Sequence, residues 1–302
     1  MALMFAVMLT LGGGCGVPVA PAAGDSGPPR IVSLAPSVTE TLFALGAGKE
    51  VIGVSRYTDY PPQAAKLPEV GTFLTPNLEA IVALRPTLII GPAESSDRRE
   101  VRALGAMGYG ILMVNDNSIA GIEQSILHVG DRIGRADAAR QLVKRIRMHI
   151  AAVQERLKDE PRKRVLMVVG HQPMVAVGRG TFLDELLKLA HGDNIADAAV
   201  QPWPRLSVEY IIATRPQVIL DGQMGSDAAA PDGFWSKYPT IPAVKYHHIY
   251  GYPQDPVLHP GPRIWQALEI LARLIHPDAF RRNASGASAR LSGKAHRQEA
   301  TQ

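Results

Sequence analysis

The stretch LEAIVALRPTLII at residues 78–90 recurs as VEYIIATRPQVIL at residues 208–220. A glutamate, an arginine and a proline stand at matching positions of the two copies, 130 positions apart: Glu79 and Glu209, Arg85 and Arg215, Pro86 and Pro216. Each copy predicts a helix of about two turns, capped by Asn77 or Ser207, that ends at the proline and leads into a buried strand. The repeated unit indicates two similar α/β lobes with a cleft between them.

Strands and helices alternate on both sides of these copies. Apolar β-prone runs predict strands at residues 31–34, 51–55, 88–90, 111–114, 165–169, 218–220 and 248–250. Helical patterns lie at residues 37–45, 78–84, 98–107 and 263–275. This alternation is typical of parallel sheets covered by helices on both faces, so the predicted fold class is α/β.

Between the two lobes the pattern becomes helical over residues 121–159. In its second half, apolar side chains recur at spacings of three or four, at Leu142, Ile146, Ile150, Val153 and Leu157. Pro161 follows and ends the pattern. We therefore predict one long linker helix within residues 121–160, between an N-terminal lobe (30–120) and a C-terminal lobe (161–280).

Neither end of the chain carries a fold signal. Residues 1–11 are apolar but too short for a transmembrane helix, and the glycines at 12–14 lead directly into Cys15. This pattern indicates a signal peptide whose cysteine becomes lipidated, or else an ordinary cleaved signal. Residues 1–29 are accordingly interpreted as signal, lipid anchor and tether, which predicts export to the periplasm or cell surface. The polar segment 281–302 is predicted to be a disordered tail.

The composition excludes several classes of protein. The chain has 302 residues, a net charge of +4, 46% hydrophobic residues and 6% aromatic residues. That charge is too small and the aromatics too few for a nucleic-acid binder, and the hydrophobic content is too high for a disordered chain. Cys15 is the single cysteine of the sequence, which excludes a disulfide framework and a thiolate metal site.

The sequence also lacks the short motifs of common catalytic sites. It has no glycine-rich phosphate loop ending in Gly-Lys-Ser/Thr, no Gly-x-Gly-x-x-Gly after a strand, no Gly-x-Ser-x-Gly and no His-Glu-x-x-His. We therefore expect a protein that is not an enzyme and needs no catalytic cofactor.

Five segments carry a resemblance to a known family: RIVSLAPSVTETLFALG (30–46), VSRYTDYPPQA (54–64), VGTFLTPNLEAIVALRPTLII (70–90), QPWPRLSVE (201–209) and HPGPRIWQALEILARLIHP (259–277). They resemble the helical-backbone solute-binding proteins of ABC importers, across nearly all of residues 30–280. The stretches DYPPQA and PWPxxSxE are most similar to the cobalamin-binding members.

This resemblance implies a class III periplasmic binding protein, with two Rossmann-like lobes joined by one long rigid helix. It further implies a monomer that captures a metal chelate in the cleft between its lobes. The implied partners are an ABC permease dimer with its ATPase subunits and, through the lipid anchor, the membrane; nucleic acid is not among them.

The resemblance also assigns roles to individual residues. Ligand-contacting positions of the family match Tyr57, Phe73, Trp203 and the loop Asp255, Pro256, Val257, Leu258 and His259. Phe73 stands where the cobalamin-binding members have a larger tryptophan, and His259 stands where they have an arginine. His259 or Tyr57 could make an axial contact to a chelated metal, whereas no residue is expected to hold a metal ion directly.

Glu79 and Glu209 match two glutamates that dock onto arginines of the permease dimer, one from each lobe. A simpler interpretation is that each carboxylate stabilises the first turn of its helix. That interpretation leaves unexplained why the two sites match each other, as contact with a two-fold symmetric permease requires.

The expected cargo is cobalamin first, haem second and a ferric siderophore third. Two functions from other classes stay open at this point: a tetrapyrrole- or metal-handling enzyme, such as a chelatase or a nitrogenase-like component, and a sensor that docks on a different membrane receptor.

Overall fold

The computed structural model describes residues 28–222 and 232–281. The predicted signal, Cys15 and nearly all of the predicted tether and tail lie outside these residues. Arg281 was expected to open the tail, but it ends a helical turn at residues 277–281.

The first lobe is built on a parallel sheet of strands β1 (Ile31–Ser33), β2 (Val51–Val54), β3 (Leu88–Pro92) and β4 (Gly110–Val114), in the order β2-β1-β3-β4. Helices α1 (Pro36–Ala44), α2 (Leu78–Ala83) and α3 (Arg99–Ala106) connect the strands. Each lies close to its position predicted from the sequence, and the short apolar runs form strands that are largely buried.

The linker region predicted at residues 121–160 contains two helices rather than one continuous helix, and the second is the longer. Helix α4 (Ile119–Arg132) and helix α5 (Ala136–Leu157) are separated by Gly134, whose φ of +71° lies in the left-handed region. Glycine adopts that conformation without the steric cost of a Cβ, and it commonly ends helices in this way. The apolar stripe of α5 is confirmed: its residues are all buried. The two helices pack on each other and are joined by an ion pair between Arg147 and Glu123 at 2.7 Å.

The second lobe contains strands β5 (Lys163–His171), β6 (Met174–Ala176), β7 (Gly192–Asn194), β8 (Val218–Asp221) and β9 (Ile249–Gly251). Their order is β6-β5-β8-β9, with β7 paired to the start of β5 and β6 antiparallel to its end. The helices are α6 (Phe182–Leu189), α7 (Val208–Thr214), α8 (Asp232–Trp235), α9 (Pro242–Lys245), α10 (Gln254–Val257) and α11 (Ile264–Ile275).

The sequence repeat is confirmed as a structural repeat. The side chains of Asn77 and Ser207 each accept a hydrogen bond from the third backbone N–H beyond them, at 3.1 and 3.2 Å. Arg85 and Arg215 both adopt left-handed backbone angles, with φ of +48° and +51°. A second arginine in each lobe donates to that residue's carbonyl oxygen: Arg30 to Arg85 at 3.2 Å and Arg164 to Arg215 at 3.1 Å.

One apolar cluster runs through both lobes. It contains Ile90 of the first sheet, Ile146 of α5 and Leu220 of the second sheet, all essentially inaccessible to solvent. Because separating these groups would expose apolar area, the shared core resists a large change in the angle between the lobes. Within the described residues, no helix combines the length and the apolar character needed to cross a bilayer.

Candidate ligand-binding cleft

The loop between β9 and α11 connects the carboxyl edges of the two sheets. At its start, the Tyr252 hydroxyl donates to the carbonyl oxygen of Val168 in β5, at 2.9 Å. At its end, Gly261 packs against the backbone of Ser37 in the first turn of α1. Ligands of open α/β sheets bind outside the carboxyl ends of the strands, so this loop marks the candidate site.

A buried ion pair fixes that loop on the first lobe. Arg263 donates to both carboxylate oxygens of Glu40, at 2.7 and 2.6 Å, and also binds Asp255. Its guanidinium lies 3.9 Å above the ring of Tyr60, where a cation is attracted to the aromatic face. Burial acts to raise the pKa of Glu40, but the hydrogen bonds from Arg263 and His259 outweigh it and hold this pKa below its usual value.

His259 points one ring nitrogen into the same cluster. Its Nδ1 lies 3.3 Å from a carboxylate oxygen of Glu40 and 3.3 Å from one of Asp255. Ligand atoms of these three residues lie within 4.8 Å of one another, close enough in principle to surround a cation. However, Arg263 already supplies a positive charge to both carboxylates, so the cluster is better described as an ion-pair network.

The rest of the predicted loop is less accessible. Pro256 and Val257 are buried, and Leu258 is partly buried against the main apolar cluster. The loop therefore offers Asp255 and His259 as its polar groups, whereas Pro256 and Val257 pack into the protein and hold the loop in place.

The three predicted aromatic residues are exposed in connecting segments: Tyr57 and Phe73 lie between β2 and α2, and Trp203 lies before α7. Tyr57 is 70% exposed, Phe73 42% and Trp203 47%. Trp203 borders an open groove of about 770 Å³ with its neighbours Ala199, Val200, Gln201, Pro204 and Arg205. This exposure leaves all three rings accessible to a ligand, whereas single exposed apolar residues are in themselves normal on a folded surface.

Sequence reasoning missed a histidine–aspartate pair at the carboxyl edge of the second sheet. His171 ends β5 and Asp221 ends β8, and His171 Nε2 lies 2.7 Å from Asp221 Oδ1. Trp235 donates its indole N–H to the other oxygen of Asp221 at 2.6 Å. The sequence did carry a signal for this pair, since His171 and Asp221 each lie at the end of an apolar run that predicts a buried strand.

An acidic residue at the corresponding edge of the first sheet was also missed. Asp116 follows β4 and borders a small crevice with Ser37, Thr41 and Pro260. Burial and the nearby negative charge of Glu94 raise the pKa of Asp116 to about 7. Such a shift is common in functional clefts, although on its own it assigns no role.

The two predicted docking glutamates occupy equivalent, exposed positions. Glu79 lies in the first turn of α2 and Glu209 in the first turn of α7. The pattern of exposed and buried residues is the same along 77–81 and 207–211. In both segments the glutamate is exposed and the isoleucine two positions later is buried. The pKa of Glu209 is lowered by a backbone N–H hydrogen bond and by the Ser207 hydroxyl.

Comparison with known proteins places this arrangement in a family. The family described as periplasmic binding protein matches residues 31–256. The chain belongs to this family. This chain is 34% identical over 263 residues to the ABC transporter substrate-binding lipoprotein YvrC of Bacillus subtilis, covering 84% of this chain and 82% of YvrC. It is 31% identical to the vitamin B12-binding protein of Salmonella choleraesuis, covering 72% and 80% of the two chains.

Solved structures show the same fold. The periplasmic vitamin B12 binding protein BtuF of Vibrio cholerae superposes with a TM-score of 0.73 at 27% identity, covering 82% of this chain and 97% of BtuF. The periplasmic heme-binding protein RhuT of Roseiflexus sp. RS-1 superposes with a TM-score of 0.75 at 29% identity, covering 84% and 100%. The chain therefore has the class III fold. Its family consists of substrate-binding transport proteins rather than enzymes, and these work with an ABC permease and ATPase.

Proposed function

We propose that this periplasmic binding protein captures a metal-containing tetrapyrrole between its lobes and hands it to the permease of an ABC importer. The observation that carries this proposal is the exposure of Tyr57, Phe73 and Trp203 on loops of both lobes. These are the positions that the sequence resemblance assigns to ligand contact.

The chemistry of these loops suits a flat macrocycle. A corrin or porphyrin presents two broad faces, and covering them with aromatic side chains removes apolar area from water. Asp255 and His259 supply polar groups on the loop between β9 and α11. A few polar groups among aromatic walls are typical of small-molecule sites.

Cobalamin is the first proposed cargo. The relatives from Salmonella choleraesuis and Vibrio cholerae are named as vitamin B12-binding proteins, and the DYPPQA and PWPxxSxE stretches resemble theirs. Haem is the second, because His259 stands where the cobalamin-binding members have an arginine and its Nε2 has no hydrogen-bond partner in the described part of the chain. A ferric siderophore is third, because an anionic chelate requires several arginine or tyrosine donors and the proposed site offers few besides Tyr57.

Handover requires docking, and Glu79 and Glu209 are the proposed contacts. Their equivalent places on the two lobes suit a two-fold symmetric permease that offers one arginine to each. Exposed carboxylates of this kind mainly guide association and fix orientation. Acylation of Cys15 would keep the protein at the membrane, as the lipoprotein name of the Bacillus subtilis relative suggests.

Titration calorimetry tests the cargo. The purified full-length chain is titrated with cyanocobalamin, haemin and one ferric siderophore under identical conditions. We expect saturable one-to-one binding of cyanocobalamin with a Kd below about 1 μM, equivalent to roughly −8 kcal/mol. Tight binding of haemin alone would replace cobalamin by haem as cargo and keep the transport role. Failure of both tetrapyrroles to bind would overturn the proposal.

A further inference from the structure

His171 and Asp221 form a pair that the proposed cargo contacts do not use. Both residues end their strands at the carboxyl edge of the second sheet, where ligands of α/β folds bind. The distance of 2.7 Å between His171 Nε2 and Asp221 Oδ1 is that of a strong, charge-assisted hydrogen bond.

Asp221 is an unusual residue to bury in this place. Its side chain is 1% exposed, and its oxygens contact His171 and the Trp235 indole. No lysine or arginine of the described residues pairs with it. Because a buried carboxylate is costly without partners, its presence here indicates that holding the imidazole is its purpose.

The hydrogen bond also determines which ring nitrogen of His171 is free. When Nε2–H donates to Asp221, the neutral ring carries its lone pair on Nδ1. Nδ1 has no hydrogen-bond partner within the described residues, and the side chain is 11% exposed. The Phe234 ring meets the imidazole edge-on, with centroids 4.7 Å apart, so the ring is held from two sides.

A carboxylate that orients a histidine through one nitrogen is the usual support of a metal-binding imidazole. His171 and Asp221 have no third histidine or carboxylate close enough to form a cation site with them in the described part of the chain. The one group of three found there is Glu40, Asp255 and His259. A lone imidazole cannot hold a free ion. It can, however, fill one axial position of a metal whose other ligands belong to a macrocycle.

We propose that His171 binds, through Nδ1, the metal of a tetrapyrrole cargo that has an exchangeable axial position, and that Asp221 is its positioning residue. This inference rests on the proposed function and specifies its cargo class. Haemin and aquocobalamin offer such a position, whereas cyanide occupies it in cyanocobalamin. His259 is the less firmly oriented candidate, because its two carboxylate contacts are 3.3 Å long and both carboxylates are bound by Arg263.

The test compares the visible absorption and electron paramagnetic resonance spectra of the full-length chain with bound haemin. We expect a nitrogen-ligated spectrum for the wild type. His171→Gln keeps a donor for Asp221 but removes the ligand, so it should lose that spectrum, and added imidazole should restore it in a His171→Gly variant. Asp221→Asn should weaken haemin affinity roughly 10- to 100-fold. The matched control, His128→Ala at an exposed position of α4, should keep the wild-type spectrum, and urea midpoints check that each variant folds.

The outcomes separate this inference from the proposed function. If haemin binds and its spectrum is the same in wild type and His171→Gln, axial ligation by His171 is wrong while tetrapyrrole capture stands. Binding of cyanocobalamin without any binding of haemin or aquocobalamin would likewise reject axial ligation and leave capture intact. If none of the three tetrapyrroles binds, the proposed function fails, and this inference fails with it.

Discussion

Arg263 binds both carboxylate oxygens of Glu40, at 2.7 and 2.6 Å, and so joins the start of α11 to α1 across the two lobes. The side chain of Glu40 is 1% exposed and that of Arg263 13%. A buried ion pair contributes little to folding stability compared with an apolar pair of the same shape. Removing one partner, however, leaves an uncompensated buried charge and destabilises the fold. The pair therefore orients the ligand loop rather than simply adding stability.

Removing the arginine should be the more damaging change. Arg263→Met leaves the buried Glu40 carboxylate with His259 alone, so we expect a loss of about 3–5 kcal/mol in the free energy of unfolding. Glu40→Gln should cost less, because Asp255 still pairs with Arg263. Urea unfolding measures both. The control is Arg140→Met, which breaks an exposed pair with Asp137 and should cost at most about 1 kcal/mol. Equal effects of the two arginine variants would contradict the prediction.

Reversing the docking charges should separate transport from binding. We expect Glu79→Arg and Glu209→Arg each to abolish uptake of the cargo by cells, because the new arginine would be repelled by the arginine that the permease is proposed to offer at that position. Cargo affinity measured by calorimetry should stay unchanged, because neither glutamate is among the proposed cargo contacts. Asp137→Arg, which reverses another exposed first-turn carboxylate on α5, should leave uptake intact. Normal uptake in either glutamate variant would reject the docking role.

Features with a local cause could be predicted from the sequence. Asn77 and Ser207 cap their helices as expected, because a side-chain oxygen next to the first free N–H groups needs no distant partner. The buried stripe of α5 follows in the same way from its spacing. Gly134 was overlooked as a helix end because the apolar pattern continues on both sides of it.

Features that depend on pairing across the sheet could not be predicted. His171 and Asp221 are 50 residues apart, and only the parallel pairing of β5 with β8 brings them together. The network of Glu40 and Arg263 spans 223 positions. His259 and Asp255 were identified as site residues, but the contact of His259 with Glu40 emerges only when both lobes are in place.

Truncating the exposed aromatics should weaken cargo binding. If burial against a macrocycle is their role, Phe73→Ala and Trp203→Ala should each cost about 1.5–3 kcal/mol, or roughly a 10- to 100-fold rise in Kd. Tyr57→Ala should act in the same direction. Tyr246 is the control, because it is 60% exposed and lies before β9, at the opposite edge of the sheet. Calorimetry with the cargo identified above measures all four, and an equal effect of Tyr246→Ala would contradict the assignment.

His276 should make stability depend on pH. The residue is 1% exposed and its Nδ1 has no hydrogen-bond partner among the described residues, while burial and the positive charge of Lys163 lower its pKa. The unfolded chain binds a proton near pH 6.5 and the folded ring binds it only at lower pH. The stabilising effect of the neutral ring is therefore present above about pH 6.5 and is lost as the pH falls toward the folded pKa.

The His276→Phe variant removes this titration. Its unfolding free energy should fall less steeply than that of the wild type between about pH 6.5 and 5. His128→Phe, at an exposed position of α4, controls for the substitution itself. Urea midpoints at several pH values give the slopes, and identical slopes for His276→Phe and the wild type would show that the buried ring does not titrate as expected.

Two glycine variants should shift stability in opposite directions. A Cβ at Gly134 would meet no atom within 4 Å, so Gly134→Ala tests the left-handed backbone alone and should cost about 1–2 kcal/mol. Gly105 lies in the regular helix α3, and a Cβ there would make an ordinary contact with Ile111 at 3.6 Å. Gly105→Ala should therefore stabilise the protein by about 0.5–1 kcal/mol. If Gly134→Ala were also stabilising, the break between α4 and α5 would have to come from the packing of the two helices rather than from this glycine.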